Sequence, residues 1–302
     1  MTQATPTLSP LLPALAITFN ALVWGLSWWP FRYLNDHGLH PLWATALMYT
    51  LAVVCVLVLR PGAWRPLTST PLLWCLLLAS GFTNVGFNWA VTVGDVVRVV
   101  LLFYLMPAWV VLLAWPMLGE RPKLGAVARV ALAIAGVAVV LKEPGSPWPV
   151  PNSLADWLAI AGGFSFALTN IFLRKLAKAS PPARMFAMFA GGAAMALVAA
   201  AVGSSLGVVS AVPAIAAPWV FMALLLGAAF LASNAALQYG APLLSAHTTA
   251  LIMSSEVLFA SFSAAALGAG QLNSRVWLGG ALIVAAAVWS AWPARDSATT
   301  TH

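Results

Sequence analysis

Charged residues in this sequence are confined to short stretches, and long apolar stretches lie between them. No Asp, Glu, Lys or Arg occurs between Arg98 and Glu120, or between Arg184 and Glu256. Because a bilayer core needs about 20 helical residues, the first stretch can form one membrane span and the second two spans and much of a third. Charged residues make up only 7% of the chain, against roughly 25% in soluble domains. The pattern predicts an all-α integral membrane protein and argues against a nucleic-acid-binding surface.

Charged and proline-rich stretches divide the chain into ten predicted spans. The first six cover residues 12–34, 41–59, 71–90, 97–121, 124–141 and 154–176. Three more follow residue 185, separated at 204–218 and 239–245, and the tenth covers 276–292. A loop rich in proline at 144–153 separates residues 1–143 from residues 154–302. We therefore predict two units of five spans each.

The lysines and arginines are distributed unequally between the two predicted ends of the bundle. Four of them, Arg32, Arg98, Lys142 and Arg275, fall at one end, and the other ten fall at the end that carries both termini. Cytoplasmic loops of membrane proteins carry an excess of Lys and Arg. Both termini are therefore predicted to be cytoplasmic.

Polar residues recur at a constant offset, which indicates an internal repeat. A shift of 150 residues pairs Asn84 with Asn234, Asn88 with Gln238, Trp89 with Tyr239 and Met106 with Glu256. A shift of 142 pairs residues 31–34 with residues 173–176. Since five spans is an odd number, the second unit would enter the membrane upside down, which is the inverted-repeat plan of many secondary transporters.

Four amide side chains are candidates for lining a substrate cavity. Asn84 and Asn88 are four residues apart, as are Asn234 and Gln238, so each pair lies on one helical face. An amide in hydrocarbon needs a hydrogen-bond partner, which can be another helix, water or a substrate. Hydrogen bonds between helices and a cavity at the repeat interface are therefore both consistent with these residues.

Glu256 is the one acid well inside a predicted span. A carboxylate in that position is costly, so it should be protonated, paired or exposed to a wet cavity. It is either a functional residue that binds a proton or a substrate amine, or a protonated structural residue.

Further candidates come from polar and aromatic residues within the spans. Asn20 and Trp24 share a face of span 1, and Asn170 lies in the corresponding part of span 6. Tyr104 lies one turn before Pro107, which should kink span 4 because proline removes a helical hydrogen bond. The predicted substrate-binding set is Asn20, Trp24, Asn84, Asn88, Trp89, Tyr104, Asn170, Asn234, Gln238, Tyr239 and Glu256, with Pro107 as the gating kink.

Several short motifs resemble the drug/metabolite transporter superfamily, and within it the EamA-type permeases. They are WGLSWW at Trp24–Trp29, the MP of span 4, LGERP at Leu118–Pro122 and GG…AAA in span 10. The FYLMPAWVVLLAW run of span 4 resembles the bacterial aromatic amino acid exporters. Departures from the family pattern are Val257, where a proline is usual after the acid, and LGAGQ at Leu267–Gln271, where LGE is usual.

The resemblance implies a bacterial inner-membrane secondary transporter, working as a monomer by alternating access between the repeats. We expect export of small neutral or zwitterionic metabolites, most of all aromatic and other neutral amino acids, with no catalytic residue, metal or cofactor. The alternatives are an exporter of another amphiphilic metabolite or drug, or an intramembrane enzyme. An enzyme is disfavoured by the absence of HExxH, GxSxG or paired aspartates from the sequence.

Overall fold

The computed structural model of this chain describes residues 11–122, 124–142, 148, 150–244 and 246–291. Every regular element among them is helical, which confirms the all-α prediction. The helices are α1 Leu11–Leu26, α2 Trp28–Asp36, α3 Pro41–Leu59, α4 Leu72–Val93, α5 Val96–Phe103, α6 Met106–Leu118, α7 Leu124–Leu141, α8 Leu154–Lys175, α9 Pro181–Ser205, α10 Ala217–Gly240, α11 Ala246–Met253, α12 Ser255–Ala266 and α13 Ser274–Ala291. Short 3₁₀ turns occur at Arg65–Thr68 and Ala241–Leu243.

Eight helical segments of the described chain are long and apolar enough to cross a membrane. They correspond in order to the first eight predicted spans, with α1 and α2 together forming the first and α5 and α6 the fourth. Two shorter apolar helices, Ser255–Ala266 and Ser274–Trp289, lie where the ninth and tenth spans are predicted. The multi-pass character is confirmed, and the count of ten spans stays a prediction.

Three predicted spans are interrupted helices. The breaks fall at Ser27, at 104–105 and at Ser254. Pro107 accounts for the second break because it cannot donate to the carbonyl of Phe103, the last residue of α5. The third break occurs without any proline. There the carbonyl of Ile252 instead accepts a hydrogen bond from Ser255 Oγ at 2.6 Å.

The half-helix α5 lies at the centre of the larger of the buried clusters. Seven of its residues are buried, and Tyr104 and Leu105 after it are buried as well. It packs against α8 and α12, while α4 packs against α8 and α9, and α7 packs against α13. A second buried cluster lies between α3, α9 and α10. The break after α5 is thus held inside protein, where unpaired backbone groups are tolerated in a membrane.

Three of the four cations assigned to one end of the bundle make hydrogen bonds or an ion pair there, and the fourth, Lys142, contributes its backbone carbonyl. Arg32 donates to the carbonyls of Val91 and Gly94, and Arg275 donates to the carbonyl of Lys142. Arg98 forms an ion pair with Asp156. We call this end the Arg98 end. At the opposite Arg174 end, Arg174 pairs with Glu120 on the surface.

Candidate functional site

Two of the three interrupted spans, the fourth and the ninth, meet at the hydroxyl group of Tyr104. This hydroxyl lies 3.2 Å from the carbonyl oxygen of Met253, the last residue of α11, and 3.3 Å from Oε2 of Glu256 in the first turn of α12. A phenol has a single proton, so it donates to one of these oxygens at a time. Tyr104 is 3% exposed. The contact links the break in one half of the chain to the break in the other.

A close helix contact fixes the backbone on the α12 side of this junction. A β-carbon at Gly25 of α1 would lie only 2.8 Å from the carbonyl oxygen of Glu256 and 2.7 Å from Cβ of Phe259. Only glycine permits this approach, because a side chain would meet backbone that cannot move aside. The WGLSWW motif therefore places α1 directly against the residue that carries the carboxylate.

The junction offers oxygen atoms to a ligand with hydrogen-bond donors. Glu256 contributes a carboxylate, and the Met253 carbonyl at the end of α11 contacts the same Tyr104 hydroxyl. Ends of interrupted helices in membranes commonly serve this purpose, since carbonyl groups at a half-helix C-terminus attract cations. An ammonium group, which only donates hydrogen bonds, is the part of a ligand that these acceptor oxygens suit best.

A chain of aromatic rings crosses the core beside the junction. Trp24 lies between Phe230, at a centroid distance of 4.4 Å, and Phe87, at 6.5 Å. Phe103 follows at 4.7 Å from Phe87, and Phe166 at 5.6 Å from Phe103. Trp24 was predicted from sequence. Phe87, Phe103 and Phe230 were missed because nothing in their local sequence distinguishes them from other apolar core residues.

The first amide pair forms hydrogen bonds between helices. Asn84 accepts from the hydroxyl of Tyr49, and Asn88 donates to Thr45 Oγ1 at 3.1 Å. Both partners lie on α3, as expected for amides on one face of α4. In span 1, Asn20 likewise donates to Ser233 Oγ of α10, at 2.6 Å. These contacts correspond to the interhelical alternative.

Three of the predicted amides nevertheless have an unused acceptor. The Oδ1 atoms of Asn20, Asn88 and Asn234 are buried and accept no hydrogen bond from the described residues. A buried acceptor without a partner is costly, so each is a place where a water molecule or a substrate donor would be stabilised. Asn20 and Asn234 flank the α1–α10 contact, in which Ser233 takes part.

Three predicted site residues are not brought to the junction. Trp89 packs near the Arg98 end with its ring 5.3 Å from that of His40, and Tyr239 is 43% exposed on the protein surface. Each lies five positions beyond the first amide of its pair, which rotates it by about 140° around the helix. Asn170 donates to the carbonyl of Phe166 in its own helix. The side chain of Gln238 lies outside the described residues.

Pro107 and Tyr104 line a small cavity between α6, α7 and α13. Its volume is about 10 Å³, close to the least that holds one water molecule. Arg129 also lines it, and its guanidinium lies 5.8 Å from the ring of Trp289. Its buried Nε has no hydrogen-bond partner within the part of the chain that the structure describes. From the sequence, Arg129 is one of the ten cations assigned to the end that carries both termini, and that assignment gives no indication of its place beside Tyr104.

The described residues contain no group of three His, Cys, Asp or Glu side chains that could hold a metal ion.

Comparison with known proteins finds one family model that matches part of the chain. Residues 11–142 match the model of the EamA-like transporter family. A solved structure named only "Crystal structure of protein" has a TM-score of 0.55 and 17% identity, over 92% of this chain and 95% of its own. At that identity the likeness concerns the fold alone. No protein with a curated description matches the sequence. Residues 11–142 thus carry the sequence pattern of the EamA-like transporter family, on a fold that a solved structure shares.

Proposed function

We propose that this protein is a membrane transporter of small metabolites in the EamA-like family, working by alternating access. The observation that carries the proposal is the Tyr104 hydroxyl, which joins two interrupted spans at the Met253 carbonyl and the Glu256 carboxylate. Interrupted helices that meet inside a bundle are the usual place for substrate and coupling-ion sites in secondary transporters.

The helix contacts support two inverted five-span units, residues 1–143 and 154–302, joined by the loop 144–153. Gly25 of span 1 lies against the Glu256 carbonyl of span 9, and Gly163 of span 6 lies against the Phe103 carbonyl of span 4. Span 6 corresponds to span 1 and span 4 to span 9, so the second contact is equivalent to the first with the two units exchanged. Such pairing is expected when two copies of one unit are related by a two-fold axis.

Two further contacts follow the same exchange. Gly86 of span 3 lies against the Leu158 carbonyl of span 6, and Gly240 of span 8 lies against the Pro13 carbonyl of span 1. On the proposed two-fold axis, Gly136 and Gly279 of spans 5 and 10 lie against each other's carbonyl oxygens. The breaks at Tyr104 and Ser254 are 150 residues apart, the same offset that relates Asn84 to Asn234.

For the substrate we propose neutral and aromatic amino acids. The Glu256 carboxylate and the nearby Met253 carbonyl suit an ammonium group. The aromatic chain around Trp24 suits a large apolar side chain. Asn20 lies four residues before Trp24 and Asn234 four residues after Phe230, so each amide shares a helical face with a ring of that chain. A phosphate ester or dicarboxylate would instead face the Glu256 carboxylate and lose its hydration. The resemblance of span 4 to aromatic amino acid exporters agrees with this assignment.

The test is counterflow of labelled tryptophan or threonine into proteoliposomes, with a panel of competitors. Phenylalanine, tryptophan and methionine should inhibit, and glutamate and sugar phosphates should not. Inhibition by a drug-like amphiphile alone would favour the alternative substrate class. Turnover of a substrate in detergent, without sealed vesicles, would favour an intramembrane enzyme.

Glu256→Gln tests the role of the carboxylate in the same assay. It should reduce flux and flatten its pH dependence, whereas Glu120→Gln changes an acid that is 52% exposed in its surface pair with Arg174 and should leave both unchanged. Equal behaviour of the two variants would assign Glu256 to structure.

We further propose a monomer in a bacterial inner membrane, with the Arg174 end and both termini in the cytoplasm. A cysteine at Ser210, which is exposed at the Arg98 end, should react with an impermeant maleimide in intact cells. A cysteine at Ser69, exposed at the opposite end, should react only after the membrane is broken. The reverse labelling pattern would invert the topology.

A further inference from the structure

We infer that Arg98 and Asp156 form a latch that closes the Arg98 end of the substrate pathway and must open for a substrate to pass there. The inference rests on the proposed transport function. The latch joins the first residues of α5, in the first unit, to the first residues of α8, in the second.

The geometry of the pair is that of a strong, oriented ion pair. Arg98 Nε lies 2.8 Å from Asp156 Oδ1, and Arg98 Nη2 lies 2.8 Å from Oδ2. Asp156 is 1% exposed and Arg98 17%. The carboxylate also accepts a hydrogen bond from the backbone of Asn152 at 3.1 Å. A bidentate pair of this kind is specific in geometry, and removing one partner strands a buried charge.

Other contacts between the two units converge on the same part of α5. Asp95, which caps α5 through Arg98 N, accepts a second hydrogen bond from Gln271 N at 2.8 Å. Val96 N donates to the carbonyl of Ala269 at 3.3 Å. The start of α5 is thus attached to α8 through the ion pair, and to the loop between α12 and α13 through one backbone hydrogen bond and the Asp95 carboxylate.

The ion pair at the opposite end differs in kind. Arg174 and Glu120 are 53% and 52% exposed, and exposed pairs contribute little to stability because water competes for both charges. Of the two described ion pairs, Arg98–Asp156 is the buried one, so it is the pair that can hold one end of the bundle closed. This asymmetry indicates a state closed at the Arg98 end.

The position of α5 explains how the latch would communicate with the site. This helix is eight residues long, with its first turn in the latch and its last residue beside Tyr104 at the junction. A short rigid helix that tilts to open one end must also move the other. Above the latch lies a vestibule of about 590 Å³, lined by Asp95, Arg98, Asp156 and Arg275 among others.

Below the latch, Ala159 is fully buried one turn further along α8. In a variant with Cys55 and Cys75 replaced by serine, a cysteine at Ala159 should therefore react slowly with a charged thiol reagent. Asp156→Asn should raise the reaction rate by about tenfold or more, since 1.4 kcal/mol corresponds to a factor of ten and a buried pair exceeds that. Arg98→Lys keeps the charge without the bidentate geometry and should give an intermediate rate.

Glu120→Gln, in the same cysteine background, is the matched control because it breaks the exposed pair at the other end. Its labelling rate should equal that of the parent. Rates within twofold of one another for all variants would overturn the latch. These measurements need no substrate, so they decide the inference even if the proteoliposomes transport none of the amino acids tested and the proposed function fails.

A crosslink provides a second readout that does not depend on the stability of Asp156→Asn. With cysteines at both Arg98 and Asp156, a short bifunctional thiosulfonate should replace the ion pair by a covalent bridge. Counterflow should then fall at least about fivefold and recover on reduction. Undiminished flux in the crosslinked protein would show that this contact does not need to open.

Discussion

The hydroxyl group of Tyr104 is the most direct test of the site, because Tyr104→Phe removes one oxygen atom and leaves the ring in place. The variant loses the donor to the Met253 carbonyl and to Glu256, at 3.2 and 3.3 Å. Both distances are long for a hydroxyl donor, which usually lies 2.5–3.0 Å from its acceptor. The single proton can serve one acceptor at a time, so one bond of ordinary strength at most is lost.

The expected loss is therefore about 1 kcal/mol, in line with net hydrogen-bond energies in water and in membranes. If the bridge holds the two half-spans in the geometry that binds substrate, that loss raises the half-saturating concentration in counterflow by about fivefold. The assay is tryptophan counterflow in proteoliposomes at equal protein content.

Tyr239→Phe is the matched control, since its ring is 43% exposed and lies away from the junction. It should leave the half-saturating concentration unchanged. Wild-type affinity in Tyr104→Phe would refute the proposed role of the bridge, and an equal loss in Tyr239→Phe would show that the effect is not specific to the junction.

Four further predictions concern packing, the kink and one helix cap. Gly136→Ala should destabilise the protein by about 1–3 kcal/mol in thermal unfolding, because its β-carbon would lie 2.7 Å from the Gly279 carbonyl oxygen. The control Gly125→Ala should have little effect, because the nearest atom to its β-carbon would be 3.7 Å away. Asn88→Ala should lower the unfolding temperature, because it loses the hydrogen bond to Thr45, which is worth about 0.6 kcal/mol. It should retain substrate flux. Loss of flux at normal stability would instead make Asn88 a substrate ligand. Pro107→Ala should join α5 to α6 and slow counterflow without reducing expression, while Pro116→Ala, near the end of α6, should not; full activity in Pro107→Ala would make the break incidental. His40 Nδ1 accepts a hydrogen bond from Leu42 N at the start of α3, and partial burial lowers the pKa of this histidine. The free energy of unfolding should therefore be highest above the ordinary histidine pKa and should fall as acid protonates the ring. His40→Asn keeps an acceptor for Leu42 N and should not show that fall.

Much of the architecture could be predicted from the chain because transfer into a bilayer is decided residue by residue. The charged stretches mark the span ends, and eight described segments follow them within a few residues. The break after α5 was predictable from Pro107, since a missing N–H is a local property. So was the common orientation of Asn84 and Asn88 toward one neighbouring helix, since it follows from helical geometry alone.

The site was only partly predictable, because its partners come from distant parts of the chain. The break at Ser254 has no proline to mark it, and its carbonyl at Met253 is satisfied by a hydroxyl from Tyr104, 149 residues away. Trp89 and Tyr239 shared the repeat offset but not the face of the helix that reaches the junction. Repeat symmetry identifies equivalent positions, yet it does not say which of them point inward.

The sequence by itself determined that this chain enters a membrane as a series of helices, because the cost of burying charge in hydrocarbon depends on each segment's own residues. Only the tertiary structure decided that Tyr104 contacts Glu256, that Arg98 pairs with Asp156 and that Arg129 lies beside the Pro107 cavity. Those contacts depend on how closely helices approach at glycines such as Gly25 and Gly163, where a carbonyl occupies the space of a side chain. Helix packing in lipid is a sum of many small contacts spread over all the helices, so no single segment of the sequence contains it.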